Sequence, residues 1–527
     1  MTPLEQVYAY HQRSKHHLEQ YAAGPETLDW DHQPDPFRRF SGSATITLPL
    51  TADQHTVSWQ QLHQNPPSAA PLQLESIATL LELSLGISAW KEYGDSRWAL
   101  RCNPSSGNLH PGEGYLISSG IPDLDDGLYH YAPQPHALEQ RCCFSVGETA
   151  LYLGLSSVIW REAWKYGERA FRYVQLDCGH ALGALTVAAA VLGWKLEIVP
   201  CSSEQLATVL GVQRESDFVS AEKESPDLLL RLCTTATEVT PEQLAVAAKE
   251  GVWSGKANRL GGEPALNWPL LTEIETATVA STPLLPPPPA EALPPAIATK
   301  CTTAATTLIR TRRSAQAFDG ATVIASDTFY RILDALLPRE ESPIANTWPY
   351  RSRIHLVLFV HRVEGLPPGL YALPRHPEAE EALRQAMNPQ FLWERLPSFP
   401  PTLPLRHLIR ARAENAAQKL SCQQAIAANS CFTVAMLSEF NTTLSHHPAE
   451  YRRLYWEAGL LGQILYLEAE AAAIRGTGIG CFFDDPLHTT LGLEGTAWQC
   501  LYHFTVGGAI TDTRIATYPP YPGSEER

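Results

Sequence analysis

Two long apolar stretches, one in each half of the chain, limit the folds open to this sequence more than any other feature. They span residues 173–194 and 454–478, and each carries an acid, a glycine two residues later and then an Ala- and Leu-rich run. The acid and glycine pairs are Asp177 with Gly179 and Glu457 with Gly459. Runs of this length and composition predict buried core helices. The shared pattern predicts an internal repeat.

A second set of matches, at a constant offset of 242 residues, supports the repeat. GLYHY, from Gly127, recurs as GLYAL from Gly369, and GEGYLI, from residue 112, lies over the equally apolar HLVLF at 355–359. Each half therefore has the order helix, short strands, long apolar helix and closing strand, the last closing strand being residues 499–508. This order predicts an α+β fold with helices packed on a mostly antiparallel sheet.

A proline-rich segment, TPLLPPPPAEALPPA at residues 282–296, divides the chain near its midpoint. Four consecutive prolines favour polyproline II, so the segment is expected to act as a semi-rigid connector. We expect an N-terminal domain over residues 1–274, a linker over 275–300 and a C-terminal domain over 301–527. Two copies of a domain that normally dimerises would form a single-chain pseudo-dimer with its site at the pseudo-twofold interface.

Charge, apolar runs and cysteine content indicate which partners the protein binds and in which cell compartment it lies. The net charge is -16 and the densest basic patch spans only residues 310–313, so we expect no nucleic-acid partner. The longest apolar run, residues 181–194, is short for a membrane span, and the N-terminus lacks the apolar core of a signal peptide. Eleven cysteines without a C-x-x-C pair indicate reduced thiols. We expect a soluble cytoplasmic protein that binds no membrane.

The segment LIRTRRSAQAFDG, residues 308–320, groups two arginines and a hydroxyl. Arg312, Arg313 and Ser314 precede a predicted helix that starts near Ser326. Guanidinium groups are bidentate donors suited to phosphate oxygens. The alternative interpretation is a solvent-exposed basic segment that follows a linker.

The loop before the first repeated strand, RCNPSSGNLHPGEG, is rich in small hydrogen-bonding side chains. Pro104, Ser105, Ser106 and Asn108 place two hydroxyls and an amide on a flexible backbone. Such a loop can hydrogen-bond the edge of a flat heteroaromatic ring. The alternative is a turn whose Ser and Asn side chains bond their own backbone.

The segment RGTGIGCFFDDP, residues 475–486, contains a G-x-G-x-G pattern. A dinucleotide-binding fingerprint needs a strand before it and a helix after it. A long predicted helix precedes this one, so we do not expect a Rossmann site. The glycine backbone could still approach a ligand closely.

Lys165 and Tyr166 are adjacent in REAWKYGERAFRY, near a predicted helix start. A lysine in a partly dry site can act as a base while a tyrosine polarises the substrate. The alternative is an amphipathic helix with its cations in water. The histidine pairs at 16–17 and 446–447 lack the i, i+4 spacing of a helical zinc site, so we expect no metal.

Together these segments resemble the nitroreductase-like FMN flavoproteins, and within them the tandem SagB-type azoline dehydrogenases. The order and joint presence of the motifs carry the resemblance, which covers nearly the whole chain. The motifs are YHQRSKHHLEQYA, LDWDHQPDPFRRF, NPSSGNLHPGEGYL, WKYGERAFRYVQLDCGHALGAL, RRSAQAFDG, RGTGIGCFFDDP and LYHFTVGGAITDTRIATYPPY. The resemblance implies two tandem nitroreductase-like domains with FMN bound between them.

The resemblance also implies cofactor-binding residues from both halves. The implied phosphate ligands are Arg312, Arg313, Ser314 and Arg514, the loop that reaches the flavin ring holds Pro104, Ser105, Ser106 and Asn108, and Gly478 and Gly480 lie beside that ring. Gln316 stands where the family pattern R-R-S-x-R/K has a third cation. The replacement of that cation by glutamine would remove a charge-assisted hydrogen bond of about 1.5–3 kcal/mol.

Lys165 and Tyr166 match the Lys-Tyr pair of the azoline dehydrogenases. The resemblance implies that Lys165 takes the α-proton of a thiazoline or oxazoline in a peptide while hydride moves to flavin N5, and that an acceptor such as dioxygen reoxidises the flavin. At the offset of 242, residues 104–106 fall on Asn346, Thr347 and Trp348, and the first half has no R-R-S. We therefore expect one FMN per chain.

Two alternative functions stay open. An NAD(P)H-dependent nitroreductase-like enzyme acting on small molecules would use the same cofactor. A catalytically silent flavin- or peptide-binding protein would fit the altered positions Gln316, Asp177 and Gly183. The resemblance also raises two partners, a cyclodehydratase complex and a second copy of the pseudo-dimer.

Overall fold

The structure is a computed structural model that describes residues 1–521 except 234–237, 263–265, 288–292 and 340. Part of the expected linker (288–292) and the end of the expected C-terminal domain (522–527) lie outside the described residues. The helices are α1 (Pro3–Arg13), α2 (Trp59–Gln64), α3 (Leu74–Ser84), α4 (Ile159–Tyr166), α5 (Ala170–Val191), α6 (Ser203–Leu210), α7 (Pro241–Glu250), α8 (Pro269–Ala277), α9 (Ala305–Thr311), α10 (Ser326–Asp334), α11 (Pro377–Ala386), α12 (Glu414–Leu420), α13 (Ala425–Asn429), α14 (Phe440–Leu444), α15 (Glu450–Ala471) and α16 (Asp484–Leu491). The strands are β1 (Phe40–Ser41), β2 (Ala44–Thr47), β3 (Ile87–Tyr93), β4 (Ser96–Arg101), β5 (Gly112–Ser119), β6 (Gly127–Ala132), β7 (Ala137–Cys143), β8 (Ala150–Ser157), β9 (Leu196–Ile198), β10 (Ser225–Leu232), β11 (Val252–Trp253), β12 (Lys256–Ala257), β13 (Ile354–Val360), β14 (Gly369–Leu373), β15 (Arg406–Arg410), β16 (Phe432–Glu439), β17 (Arg475–Ile479), β18 (Trp498–Gly507) and β19 (Ala516–Tyr518).

Two sheets repeat the same strand order. In the first half the order is β7-β6-β5-β8-β10-β9, with β11 and β2 added against β7, and in the second half it is β15-β14-β13-β16-β18-β17. Every pair in both sheets is antiparallel. The α+β fold with two tandem copies is therefore confirmed, while the domain boundaries stay a prediction.

The long helices α5 and α15 pack against each other through glycine. A Cβ added to Gly179 would lie 2.3 Å from the carbonyl oxygen of Trp456, and one added to Gly459 would lie 2.1 Å from that of Leu176. Only glycine allows the backbones to approach this closely. Residues 159–191 include one stretch long and apolar enough to cross a membrane, and 94% of that stretch is buried inside the protein. Such burial is typical of a core helix.

Each half also contributes a terminal segment to the other. In α1, the hydroxyl of Tyr8 donates to Asn441 Oδ1 at 2.9 Å. At the other end of the chain, β19 pairs with β3 and extends the β3–β4 hairpin. Beyond it, the Tyr521 hydroxyl accepts from the backbone N–H of Ile87 at 3.0 Å. These exchanges hold the two halves around one interface.

Candidate functional site

The end of α9 meets the loop between β4 and β5 at this interface. Arg312 caps α9 and is 3% exposed. Its Nε and Nη2 donate to the carbonyl oxygens of Cys102 and Arg101, both at 3.2 Å, and its Cζ lies 4.9 Å from the centre of the Tyr466 ring. Nη1 is buried and has no hydrogen-bond partner among the described residues. Because buried donors are nearly always paired, this one is suited to a ligand.

Arg312 belongs to a group of four cations, with Arg313, Arg475 and Lys91. Burial, and then Arg312, lower the pKa of Arg313 to about 10. Burial, and then Arg313 and Arg475, lower the pKa of Lys91. Glu470 partly offsets the charge, since its Oε1 lies 3.6 Å from Arg475 Nε and accepts from the backbone N–H of Arg313 at 3.1 Å. The crowding of like charges favours an anion such as a phosphate.

Ser314 connects this cationic end to β17. Its hydroxyl lies 2.8 Å from that of Tyr466, which accepts from the backbone N–H of Gly478 at 3.1 Å. The backbone N–H of Ala315 donates to Gly476 O at 3.0 Å. The R-R-S segment and the glycine strand, which are more than 150 residues apart in sequence, are thus brought together.

Two tyrosine side chains occupy the face of β17. A Cβ on Gly478 would lie 1.7 Å from the Tyr502 hydroxyl, and one on Gly480 would lie 1.9 Å from the Tyr173 ring. The Tyr502 hydroxyl also lies 3.0 Å from His180 Nε2. The glycines therefore make room for aromatic rings at this end of the site.

The loop between β4 and β5 is anchored by Asp177 on α5. The backbone N–H of Ser106 lies 3.1 Å from both carboxylate oxygens of Asp177, and the Ser106 hydroxyl donates to Oδ1 at 2.9 Å. Burial raises the pKa of Asp177 to about 7, although hydrogen bonds from Ser105 and Ser106 oppose the rise. The sequence marked Asp177 as part of the repeat but did not predict this anchoring role.

The other predicted loop residues bond neighbouring protein groups. Ser105 Oγ accepts from the backbone N–H of His110 at 2.8 Å, and Asn108 Nδ2 donates to Ala99 O at 2.9 Å. Pro104 is buried. These bonds match the turn interpretation, so the contact of Ser105 and Asn108 with a ring stays a prediction.

Lys165 and Tyr166 contact the same loop. They end α4, because Gly167 with its φ of 53° breaks the helix there, and they precede the start of α5 at Ala170, as expected. A Cβ on Gly107 would lie 2.7 Å from the Tyr166 hydroxyl and 3.2 Å from Lys165 Nζ. The Tyr166 and Tyr173 ring centres are 4.3 Å apart. The pair therefore lies between the loop and α5.

Glu162, which the sequence reasoning missed, lies beside this pair. It is 0% exposed, and within the described part of the chain neither carboxyl oxygen has a hydrogen-bond partner. Burial, and then Asp177, raise its pKa well above the ordinary value, while Lys165 and Arg161 oppose the rise. Its place one helical turn before Tyr166 was the available signal, since residues i and i+4 share a helix face.

Two predicted cofactor residues lie outside these contacts. Arg514 is exposed and pairs with Asp512, its Nη2 lying 2.7 Å from Oδ2, and its Cζ lies 5.6 Å from the centre of the Tyr93 ring. Gln316 is exposed. Their roles in phosphate binding stay predictions.

In the second half, the counterparts of Asp177 and of the β4–β5 loop make different contacts. Glu457, the counterpart of Asp177, accepts from the backbone N–H of Arg353 at 2.8 Å and from the Arg375 guanidinium. Thr347 Oγ1 donates to Leu196 O at 3.1 Å. A nearby cleft of about 550 Å³, counting the solvent at its mouth, is lined in part by Tyr350, Arg452, Arg453 and Trp456. One FMN per chain stays a prediction.

Among the described residues, one group has the spacing of metal ligands: His355, His376 and Glu439, with ligand atoms within 4.8 Å of one another. His355 Nδ1 accepts the backbone N–H of Arg375 at 3.0 Å, so its neutral ring carries the hydrogen on Nε2. The Nε2 atoms of His355 and His376 lie 3.2 and 2.6 Å from Glu439 Oε1, and His376 Nδ1 lies 3.0 Å from Glu378 Oε2. A metal at His355 Nε2 would need that tautomer reversed, so the geometry favours a hydrogen-bond network.

Comparisons with known proteins place this architecture. A crystal structure of a presumed nitroreductase from Anabaena variabilis matches with a TM-score of 0.70 and 21% identity, covering 96% of this chain and 99% of that one. A presumed nitroreductase of Methanocaldococcus jannaschii is 26% identical over 139 residues, which are 24% of this chain and 67% of that protein. The Escherichia coli microcin synthetase McbBCD complex matches with a TM-score of only 0.29. No protein-family model matches. The chain has the nitroreductase fold, present as two tandem copies.

Proposed function

We propose that this protein is an FMN-dependent oxidoreductase that binds one cofactor between its two halves. The observation that carries the proposal is the convergence of the end of α9, the β4–β5 loop and β17, which come from distant parts of the sequence. The nitroreductase name of the M. jannaschii relative supports the same class of activity.

The cationic end fits the phosphate of FMN. Arg312 offers a buried donor without a partner, and Arg313, Arg475 and Lys91 add positive charge around it. Charge-assisted hydrogen bonds to a phosphate would relieve both the unpaired donor and the repulsion among cations. Arg475 and Lys91 would also compensate for the missing cation at Gln316.

The other end of the site fits a flat ring and a reacting substrate. Tyr173, Tyr502 and the backbone of β17 provide aromatic faces and close backbone approach. FMN, when bound, supplies a two-electron acceptor. Lys165 and Tyr166 lie at the edge of this region, beside Gly107.

We propose a thiazoline or oxazoline ring in a peptide as the substrate. Lys165 Nζ removes a proton from the ring carbon, and the Tyr166 hydroxyl polarises the substrate by donating a hydrogen bond. Burial raises the pKa of Tyr166 well above its ordinary value, so the phenol stays protonated and remains a donor. Asp177, on α5, holds the loop against which this pair lies.

Cofactor binding is tested by the visible spectrum and flavin-to-protein ratio of the purified protein. We expect a yellow protein with one FMN per chain. Arg312→Ala should weaken FMN binding by about 10- to 100-fold, because it removes charge-assisted bonds. Asn108→Ala should alter the spectrum more than the ratio.

The matched control for these variants is Arg310→Ala, since Arg310 lies on the same helix but pairs with Asp53. A protein that takes up no FMN on reconstitution would refute the cofactor, and two FMN per chain would refute the single site.

The substrate class is tested with Lys165→Ala and an azoline-containing peptide. The variant should keep its bound flavin and lose azole formation by about 10²- to 10⁴-fold, the range for a general base. Lys195→Ala is the control, because Lys195 is a half-exposed lysine paired with Glu197. Unchanged turnover in Lys165→Ala would remove that residue from the mechanism.

A nitroreductase-like reaction on small molecules is the second candidate, favoured by the name of the M. jannaschii relative. Rapid bleaching of the flavin by NAD(P)H, with no azoline turnover, would support it over the first.

A further inference from the structure

Two cysteines that take no part in the proposed reaction lie side by side next to β17. Cys481 follows Gly480 in the connection between β17 and α16, and Cys422 lies between α12 and α13. The two thiols lie close enough for each to shift the pKa of the other, although 59 residues separate them in sequence. Both cysteines are free and both are partly exposed.

Hydrogen bonds hold the two connections together independently of the thiols. The backbone N–H of Phe483 donates to Leu420 O at 2.8 Å, and Gln424 Nε2 donates to Cys481 O at 3.2 Å. The Cys422 sulfur is therefore carried by a segment bonded on both sides to the segment that carries Cys481.

The backbone at Cys422 is strained. Cys422 and Gln423 have φ values of 53° and 61°, in the left-handed region that residues with a side chain rarely adopt. Strain of this kind persists where the surroundings impose it, and it is concentrated at functional sites.

The interaction between the two thiols, and not the charges around them, distinguishes the two sulfurs, because Arg169 and Asp484 each act in the same direction on both. The interaction with Cys422 lowers the pKa of Cys481, with help from the Arg169 guanidinium, while burial and Asp484 oppose it. The same interaction, then burial, raise the pKa of Cys422. Arg169 is held nearby by donating to Gly480 O at 3.0 and 3.3 Å. Cys481 is thus the better nucleophile, because the thiolate is the reactive form.

We propose that Cys422 and Cys481 are a redox-active dithiol that exchanges with low-molecular-weight disulfides. The Cys481 thiolate attacks one sulfur of R–S–S–R, forming a mixed disulfide and releasing RS⁻. The Cys422 sulfur then attacks Cys481, closing the intrachain disulfide and releasing the second RS⁻. The two thiol protons end on the released thiolates, so two cysteines are oxidised and one disulfide is reduced to two R–SH.

The two cysteines are connected to the candidate site through Tyr173. Tyr173 packs against Gly480, which directly precedes Cys481, and its ring also lies against Tyr166. A closed disulfide would fix the Cys481 end of this strand to the α12–α13 connection. The exchange chemistry itself requires no bound flavin.

The test uses the full-length reduced protein and oxidised glutathione as the low-molecular-weight disulfide. After incubation, free thiols are alkylated and the peptides mapped by mass spectrometry. We expect a Cys422–Cys481 linked peptide and the loss of alkylation at both of these cysteines. In Cys422→Ser the reaction should stop at the mixed disulfide between glutathione and Cys481. In Cys481→Ser, Cys422 should stay unreacted and be alkylated.

Cys143→Ser is the control, because Cys143 is exposed and lies in the other half. This variant should still form the linked peptide. Alkylation of both Cys422 and Cys481 in protein whose Cys143 has been glutathionylated would overturn the proposal, as would equal glutathionylation of Cys422 in the Cys481→Ser variant. Serine is nearly the same size as cysteine, and circular dichroism checks that each variant is folded.

Discussion

A carboxyl group withdrawn from water destabilises a protein unless it is hydrogen-bonded or protonated. Neither carboxyl oxygen of Glu162 has a hydrogen-bond partner in the described part of the chain, and Asp177 adds a second buried carboxyl nearby. Both groups have raised pKa values, so each favours its protonated form at a pH where an exposed carboxyl is ionised. At the scale of single residues, this pair makes stability depend on pH.

Replacing Glu162 with Gln should stabilise the protein, and more so at higher pH. A carboxyl with a raised pKa contributes its stability below its unfolded pKa, near 4.5, and loses it as the pH rises through the folded value. Glutamine stays neutral throughout. We expect the melting temperatures to be nearly equal at pH 5 and the variant to gain about 1–3 kcal/mol by pH 8.

Thermal melts at several pH values measure this difference. Glu26→Gln, at an exposed position, is the control and should show little change. A Glu162→Gln difference that does not vary with pH would contradict the prediction.

Gly107→Ala tests the contact between the loop and the Lys165–Tyr166 pair. Gly107 has a φ of 59°, so a side chain adds backbone strain, and its Cβ would also press on Tyr166 and Lys165. Gly94→Ala is a matched control, since Gly94 has a φ of 58° and no atom within 4 Å of an added Cβ. Both variants should lose about 1–2 kcal/mol of stability.

Only Gly107→Ala should change the rate at which Lys165 reacts with an amine-selective reagent, followed by mass spectrometry. The same change in Gly94→Ala would mean that backbone strain, and not the contact, is responsible.

At the scale of elements, the crossing of α5 and α15 should tolerate changes unequally. Gly179→Ala would drive a Cβ into backbone, whose position the whole helix fixes, so we expect a loss of at least about 2–3 kcal/mol. At Gly183 an added Cβ would lie 2.8 Å from the Gln463 Cβ and 3.1 Å from a methyl group of Leu460, a less severe approach than 2.3 Å to a backbone oxygen. Gly183→Ala should therefore lose less stability than Gly179→Ala, about 1–2 kcal/mol. Urea denaturation measures both variants, and equal losses would contradict this account of the crossing.

These elements also show what could be predicted from the sequence. The helices α5 and α15 and the repeated strands were predictable because burial imposes a local pattern of apolar and small residues. Lys91 and Arg475 were not, since each looks like an ordinary surface cation in sequence. They come beside Arg313 only in the fold, because Arg313 donates to Ser88 on the strand of Lys91 and Ala315 donates to Gly476 on the strand of Arg475. The side chain of Asn108 can hydrogen-bond either the edge of a ring or the protein backbone, and the sequence does not show which of the two it does.

At the scale of the whole molecule, the exchanged segments predict that the halves assemble without a covalent link. Fragments 1–290 and 291–527, cut within the proline-rich segment, should copurify as a 1:1 complex when co-expressed. The reason is that α5 and α15 bury each other and β19 completes the hairpin of the other half. Affinity capture and size-exclusion chromatography measure the complex. Two separately folded, non-interacting fragments would contradict the interface.

The tandem repeat has a consequence for how such a site can evolve. In a dimer of identical chains every substitution appears at both symmetry-related sites, so a change that benefits one site is imposed on the other. Here Asp177 and Glu457 occupy related positions and are encoded separately. A mutation in one copy leaves the other copy's sequence intact. The two sides of the interface are therefore free to diverge, one being selected for chemistry and the other for stability alone.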